Sequence, residues 1–114
     1  MKHVTILGRA SIYTPLPPGE VWGVNFLPRT AEEWDRITRQ FQIHPWRWLN
    51  NRERHALEHL QVPTYVIRPI ARYPQTIAYP SHLARTGPFA SSFDYMLALA
   101  IWEGFRSILI TGVD

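Results

Sequence analysis

At 114 residues, with 46% apolar and 18% charged residues, the chain fits one packed domain, and its composition excludes a disordered polypeptide. It contains no cysteine, which excludes disulfides and thiolate metal sites and points to a reducing compartment, the cytoplasm. A net charge of +3 is too small to argue for nucleic acid, but 11 of the 12 basic residues are arginine, the side chain suited to bidentate contact with phosphate or carboxylate.

His3 to Gly8 is a short β-branched and apolar run, too short for a signal peptide, and reads as a first strand. It feeds Arg9 to Gly19, a stretch with three prolines and no clear helix, barely long enough for a parallel crossover. Glu20 to Asn25 reads as a second strand. Thr30-Ala31-Glu32-Glu33 is a capping box that predicts a short helix from Ala31 to about Thr38. Phe41, Ile43 and the closing His44-Pro45 predict a third strand.

Asn50 or Asn51 can cap a helix running through Leu60, with Ala56, Leu57 and Leu60 on its apolar face. Thr64 to Arg68 predicts a fourth strand. Prolines 69, 74, 80 and 88 preclude a long helix in the next segment, which reads as a mobile or ligand-covering loop with a small edge strand at Thr76 to Tyr79. Ser91 or Ser92 caps a last helix in which Phe93, Met96, Leu97, Ala100 and Ile101 recur at helical spacing, and Gly104 suits its left-handed stop. A final apolar strand ends in Gly112-Val113-Asp114. No stretch approaches the ~20 apolar residues that span a bilayer, so no membrane partner is expected.

Strands alternating with helical segments imply an α/β layer fold with a mostly parallel sheet, in a single domain covering residues 1–114. In such sheets ligands sit beyond the carboxyl ends of the strands. The apolar runs here end in small or polar residues: Gly8 and Arg9, Asn25, His44, Arg68 and Asp114. Gly8 lets backbone amides approach a phosphate, and Arg9 and Ser11 add donors; the alternative is a plain strand-end turn. Asn25 can donate to and accept from a base or sugar, or simply make a turn. His44 can act as acid, base or phosphate partner, or bond to nearby backbone. Of Ser91 and Ser92, one caps the helix and the other can hold an anion at its positive end. Asp114 could contact ribose hydroxyls, a metal or a basic substrate, or fray as a terminus.

Two further patterns carry weaker chemistry. His55-Ala56-Leu57-Glu58-His59 places two imidazoles on one helix face, but a zinc site needs a third ligand; a solvated face with Glu58 near Arg54 is the reading adopted, and no metal is assigned. Trp46-Arg47-Trp48, followed by Arg52 and Arg54, could stack bases and neutralise phosphates of a single strand. The preferred reading is core tryptophans overlaid by arginines, and the aromatic residues of the last helix are placed in the core by the same logic.

Several segments together resemble a group of bacteriophage-encoded proteins of unassigned reaction. More loosely, they resemble a Rossmann-like set that includes the family 42 sialyltransferases, motility accessory factors and hydroxymethylpterin diphosphokinase-like proteins. The segments are Val4 to Ser11, Val21 to Asn25, Phe41 to His44, Val62 to Val66, Tyr79-Pro80, and Ser91 through Asp114. The resemblance implies a Rossmann-like three-layer domain and a nucleotide or nucleotide-sugar ligand held by Gly8, Ser11, Asn25 and the serines before the last helix. It also implies a cytoplasmic location in an infected bacterial host. The phosphate loop usual in that group stands here as the shorter Gly8-Arg9-Ala10-Ser11, and the group's members continue past Gly-x-Asp, so the chain reads as a shortened form. If the protein is an enzyme, the expected class is a transferase using a nucleotide-activated donor, with His44 as acid or base and Asp114 as a sugar or metal contact. Beside this stand a non-catalytic accessory protein that binds a host protein, and a single-stranded nucleic-acid binder. A homodimer fits a chain short enough to leave a sheet edge open.

Overall fold

The computed structural model describes residues 2–8, 16–25, 31–59, 61–87, 89 and 91–112. Six strands form one sheet: β1 (His3–Leu7), β2 (Glu20–Val24), β3 (Arg39–Phe41), β4 (Thr64–Val66), β5 (Thr76–Ala78) and β6 (Ser107–Thr111). Their spatial order is β5-β4-β3-β2-β1-β6, and every neighbouring pair is parallel. The helices are α1 (Ala31–Arg36), α2 (Asn51–His59), α3 (Ser81–Ala84) and α4 (Ser92–Trp102), with a 3-10 turn at Trp46–Trp48. The result is the expected three-layer, Rossmann-like α/β domain.

Strand order explains the layers. Parallel crossovers are right-handed, so steps in one direction along the sheet place their connections on one face, and a step in the reverse direction uses the other. From β1 to β5 every step goes the same way, and α1 and α2 lie on one face. The return from β5 past β1 to β6 brings α3 and α4 over the opposite face. There Val4, Ile6, Trp22, Val24 and Phe41 pack against Leu83, Met96, Leu99 and Ala100. Trp22 lies 5.2 Å from Phe41 and 5.4 Å from Phe105, and Phe41 stacks on Tyr65 at 4.9 Å, so aromatic rings bridge three adjacent strands. On the other face Leu7 and Val21 meet Leu16 and Ile37, and Leu57 of α2 meets Tyr73.

The β1–β2 crossover, long for a loop and short for a helix, is fastened rather than helical in its described part. Leu16 is buried, and the Arg36 guanidinium donates to the Leu16 and Pro17 carbonyls at 3.1 and 2.6 Å. The Thr30 cap expected for α1 lies outside the described residues. Gly104 takes φ +86 and ends α4 as its sequence predicts.

Four expectations require correction. The third strand is Arg39–Phe41, not Phe41 to His44, because Thr38 N–H already bonds the Val21 carbonyl and Gln40 N–H the Pro63 carbonyl, shifting the ladder toward the N-terminus. The fourth strand stops at Val66, since its neighbour β5 is only three residues long and leaves Ile67 and Arg68 nothing to pair with. Trp48 is 64% exposed because it sits on a turn beyond the sheet. Trp102 is 57% exposed. Although α4 is apolar nearly all round, it can turn only one stripe inward, Met96, Leu99 and Ala100, and Trp102 rests edge-on against His82 instead.

At the amino rim of the sheet a charge cluster closes on itself. Arg39 reaches Glu20 at 2.9 Å and both carboxylate oxygens of Glu103 at 2.7 and 3.0 Å, donates to the Tyr65 hydroxyl at 3.3 Å, and lies over the Trp22 ring at 4.8 Å. Despite the opposing cost of burial, the hydrogen bond Arg39 donates to Glu103 and the charge of Glu20 raise the pKa of Arg39. Burial likewise pushes the Tyr65 phenol up.

Candidate functional site

With all strands parallel, their carboxyl ends share one rim. A cavity of about 600 Å³ opens there, on the α2 face, between the segment that follows β3 and the one that follows β4. Gln42, His44, Arg47 and Arg68 supply its polar lining; Leu49, Leu57, Val66 and Ile70 are among its apolar residues. The volume is that of a small-molecule site, and the mixture of an apolar floor with a few polar groups is typical of one.

Local structure explains how the lining is held. The Asn50 side chain accepts from Glu53 N–H at 2.8 Å, and the Glu53 carboxylate accepts from Asn50 N–H at 3.1 Å, so a reciprocal cap starts α2. The second carboxylate oxygen of Glu53 takes the Gln42 side-chain N–H at 2.9 Å, tying the helix start to the residue just after β3. Leu57 is buried one helical turn further on and faces the cavity. Beyond the strand, His44 stacks on Trp48 with ring centroids 5.9 Å apart.

Charge at the site is one-sided. Among the described residues, Arg47 and Arg68 are exposed and form no ion pair, and no acidic side chain lines the cavity. Several polar atoms on this half of the molecule also lack partners among the described residues: Asn25 Oδ1, Gln42 Oε1, and both side-chain polar atoms of Gln40. Each such buried group costs about 1–3 kcal/mol when left unpaired. Gly23 makes room for the Gln40 amide, for a Cβ there would stand 2.7 Å from Gln40 Nε2.

Of the described residues singled out from sequence as acid, base or ligand contacts, His44 lines this cavity, together with Arg68 from the strand termini and Arg47 from the aromatic and basic stretch. Gly8 ends β1, its N–H bonded to the Thr111 carbonyl at 2.7 Å. Asn25 follows β2 in a left-handed turn, φ +52, with its N–H on the Phe41 carbonyl at 2.8 Å, a conformation asparagine tolerates better than most residues. Ser91 is the cap residue of α4, and its N–H bonds the Asp94 carboxylate at 3.2 Å; Ser92 is the first helical residue. α4 ends at the amino rim, where Arg106 N–H meets the Lys2 carbonyl, so its start lies at the carboxyl rim. The serines therefore share a rim with His44 but belong to the layer on the opposite face of the sheet. Arg9, Ser11 and Asp114 lie outside the described residues.

Sequence reasoning missed Gln42 and Glu53 and left Arg68 as a mere strand terminus. A signal for the first two was present: Gln42 follows a strand residue directly, and Asn50-x-x-Glu53 repeats the capping pattern recognised at Thr30. The His55 and His59 rings lie 4.2 Å apart, tilted to each other, but among the described residues no group of three metal-ligating side chains occurs. Glu58 is engaged by the Tyr73 hydroxyl at 3.1 Å and Arg72 at 3.8 Å.

No known protein family matches the chain, and neither a curated protein nor a solved structure proved similar to it. No helix among the described residues is long and apolar enough to cross a membrane.

Proposed function

We propose that the protein binds a small phosphorylated molecule, of the nucleotide or nucleotide-sugar class, in the cavity beyond β3 and β4. The observation that carries this reading is the pair Arg47 and Arg68 on one cavity, neither neutralised by a described carboxylate. Guanidinium groups clamp phosphate oxygens through paired N–H bonds, and the apolar floor of Leu49, Leu57 and Ile70 suits the less polar part of such a ligand. His44 stands where it could pass a proton to a phosphate or a leaving group, and group transfer from a nucleotide-activated donor is the reaction class this favours.

Calorimetric titration with AMP, UMP and UDP-glucose tests the reading. The R47A/R68A double variant is expected to lose about 100-fold in affinity, the equivalent of two modest charge-assisted hydrogen bonds. Equal binding by wild type and double variant would remove the arginines from the site.

A second reading rests on a separate observation, the exposure of Trp48, which follows Arg47 in the chain and precedes Arg52 by four residues. An open indole flanked by cations can stack bases of a single-stranded nucleic acid. In that case an oligonucleotide binds far more tightly than a mononucleotide, W48A abolishes the difference, and affinity falls steeply with salt. Salt-independent or undetectable oligonucleotide binding would exclude it.

A further inference from the structure

We infer that Gln42 reads a hydrogen-bond donor on the ligand, a hydroxyl or amino group, and that Glu53 is the positioning residue that sets its amide for this task. The inference rests on the cavity reading above and narrows it to a phosphate ester whose organic part carries such donors, a sugar or nucleoside phosphate rather than an apolar ester.

Gln42 lines the cavity and is only 1% exposed. Its amide has one orientation consistent with its neighbour. The Glu53 carboxylate can only accept, so the amide turns its NH2 toward Glu53 Oε2, at 2.9 Å. A flip would set two acceptors against each other. Glu53 is itself fixed, because its other oxygen holds Asn50 N–H and its own N–H is held by Asn50 Oδ1. The consequence falls on Gln42 Oε1, which is left as a fixed acceptor with no partner among the described residues. Buried acceptors are nearly always paired, and one left unpaired just behind a cavity lining is completed by a donor that reaches it from there. A site that commits a polar group in this way discriminates strongly against ligands lacking the matching donor.

Isothermal titration of the full chain with ribose 5-phosphate, glucose 1-phosphate and AMP, against phenyl phosphate and inorganic phosphate, decides the matter. At least one donor-bearing ester is expected to bind wild type about tenfold or more tightly than phenyl phosphate, the ester with no donor on its organic part. Gln42→Met, similar in size but with no amide, should erase that preference, bringing the donor-bearing esters to the affinity of phenyl phosphate. Glu53→Gln, which keeps Gln42 and frees its amide to turn, should reduce the preference by weakening the donor-bearing esters, and it serves if Gln42→Met fails to fold. Equal affinity of wild type for all esters, or a preference that survives in both variants, overturns the role of Gln42 while leaving the cavity standing. A wild type that binds neither the esters nor inorganic phosphate at millimolar concentration overturns the cavity reading and this inference with it.

Discussion

At the amino rim of the sheet, Arg39 meets two carboxylates, a phenol and an indole face within 5 Å, and its hydrogen-bonding capacity is met inside the protein. At the carboxyl rim, Arg47 and Arg68 face a cavity with no carboxylate in its described lining, and the Gln42 carbonyl finds no donor among the described residues. Both rims are arginine-bearing ends of the same strands. The first is built for stability, since opposite charges partly removed from water must be paired to be tolerated. The second forgoes that pairing, and polar groups left open in a concave surface are what a ligand completes. Arginine content alone therefore says little; the position of the acids decides.

The sharpest way to break this contrast is R39A. It leaves Glu20 and Glu103 partly buried without their cation, and the urea midpoint should fall by the equivalent of about 2–3 kcal/mol, between the values for exposed and fully buried pairs. A loss below about 0.5 kcal/mol would mean that the amino rim is no better paired than an ordinary surface.

G23A probes the α1 face between the rims. The new Cβ would meet Gln40 Nε2 at 2.7 Å and Ile37 Cδ1 at 3.0 Å, so overpacking should cost about 2 kcal/mol in chemical denaturation. An unchanged midpoint would show that the Gln40 amide moves freely.

Y79F sharpens the comparison within the carboxyl rim, where the α4 face is closed. The Tyr79 hydroxyl donates to the Tyr95 carbonyl at 2.7 Å, and its loss should cost about 1 kcal/mol at neutral pH. Burial, with a smaller contribution from Tyr95, pushes the Tyr79 phenol up to about 12. A phenol whose folded pKa lies above its unfolded value of about 10 holds its proton more tightly in the folded state. Its contribution is whole below pH 10 and is lost as pH rises toward 12. Wild-type stability should decline across that window, and Y79F should decline less steeply; parallel curves would place the hydroxyl in water.

The smallest effect on stability should come from R47A/R68A. Removing two exposed cations with no described ion pair should move the thermal midpoint by the equivalent of less than about 0.5 kcal/mol. A large loss of stability would make these arginines structural and dissolve the contrast between the rims.

Much of the architecture is legible before any coordinates. Short β-branched and apolar runs mark strands, and the i, i+3, i+4 recurrence from Phe93 marks α4. Asn50 with Glu53, Ser91 with Asp94, and Gly104 mark helix ends through bonds that reach only three or four residues along the chain. The candidate site is legible only in part. His44 was visible as a polar residue after an apolar run, and it does line the cavity. Trp48 and Trp102 misled because hydrophobicity says that an indole prefers burial, not whether a neighbouring layer extends far enough to cover it.

The chain's own pattern thus determined the α/β class, the parallel sheet and the order of its elements, because propensity, alternation and capping act over a few residues. Only the tertiary structure decided that Arg47 and Arg68 share a cavity, that Glu53 fixes the Gln42 amide, and that Arg39 is paired while no described carboxylate pairs with them. These groups are joined by crossovers between strands, and which side of the sheet each crossover takes depends on the order in which all six strands assemble.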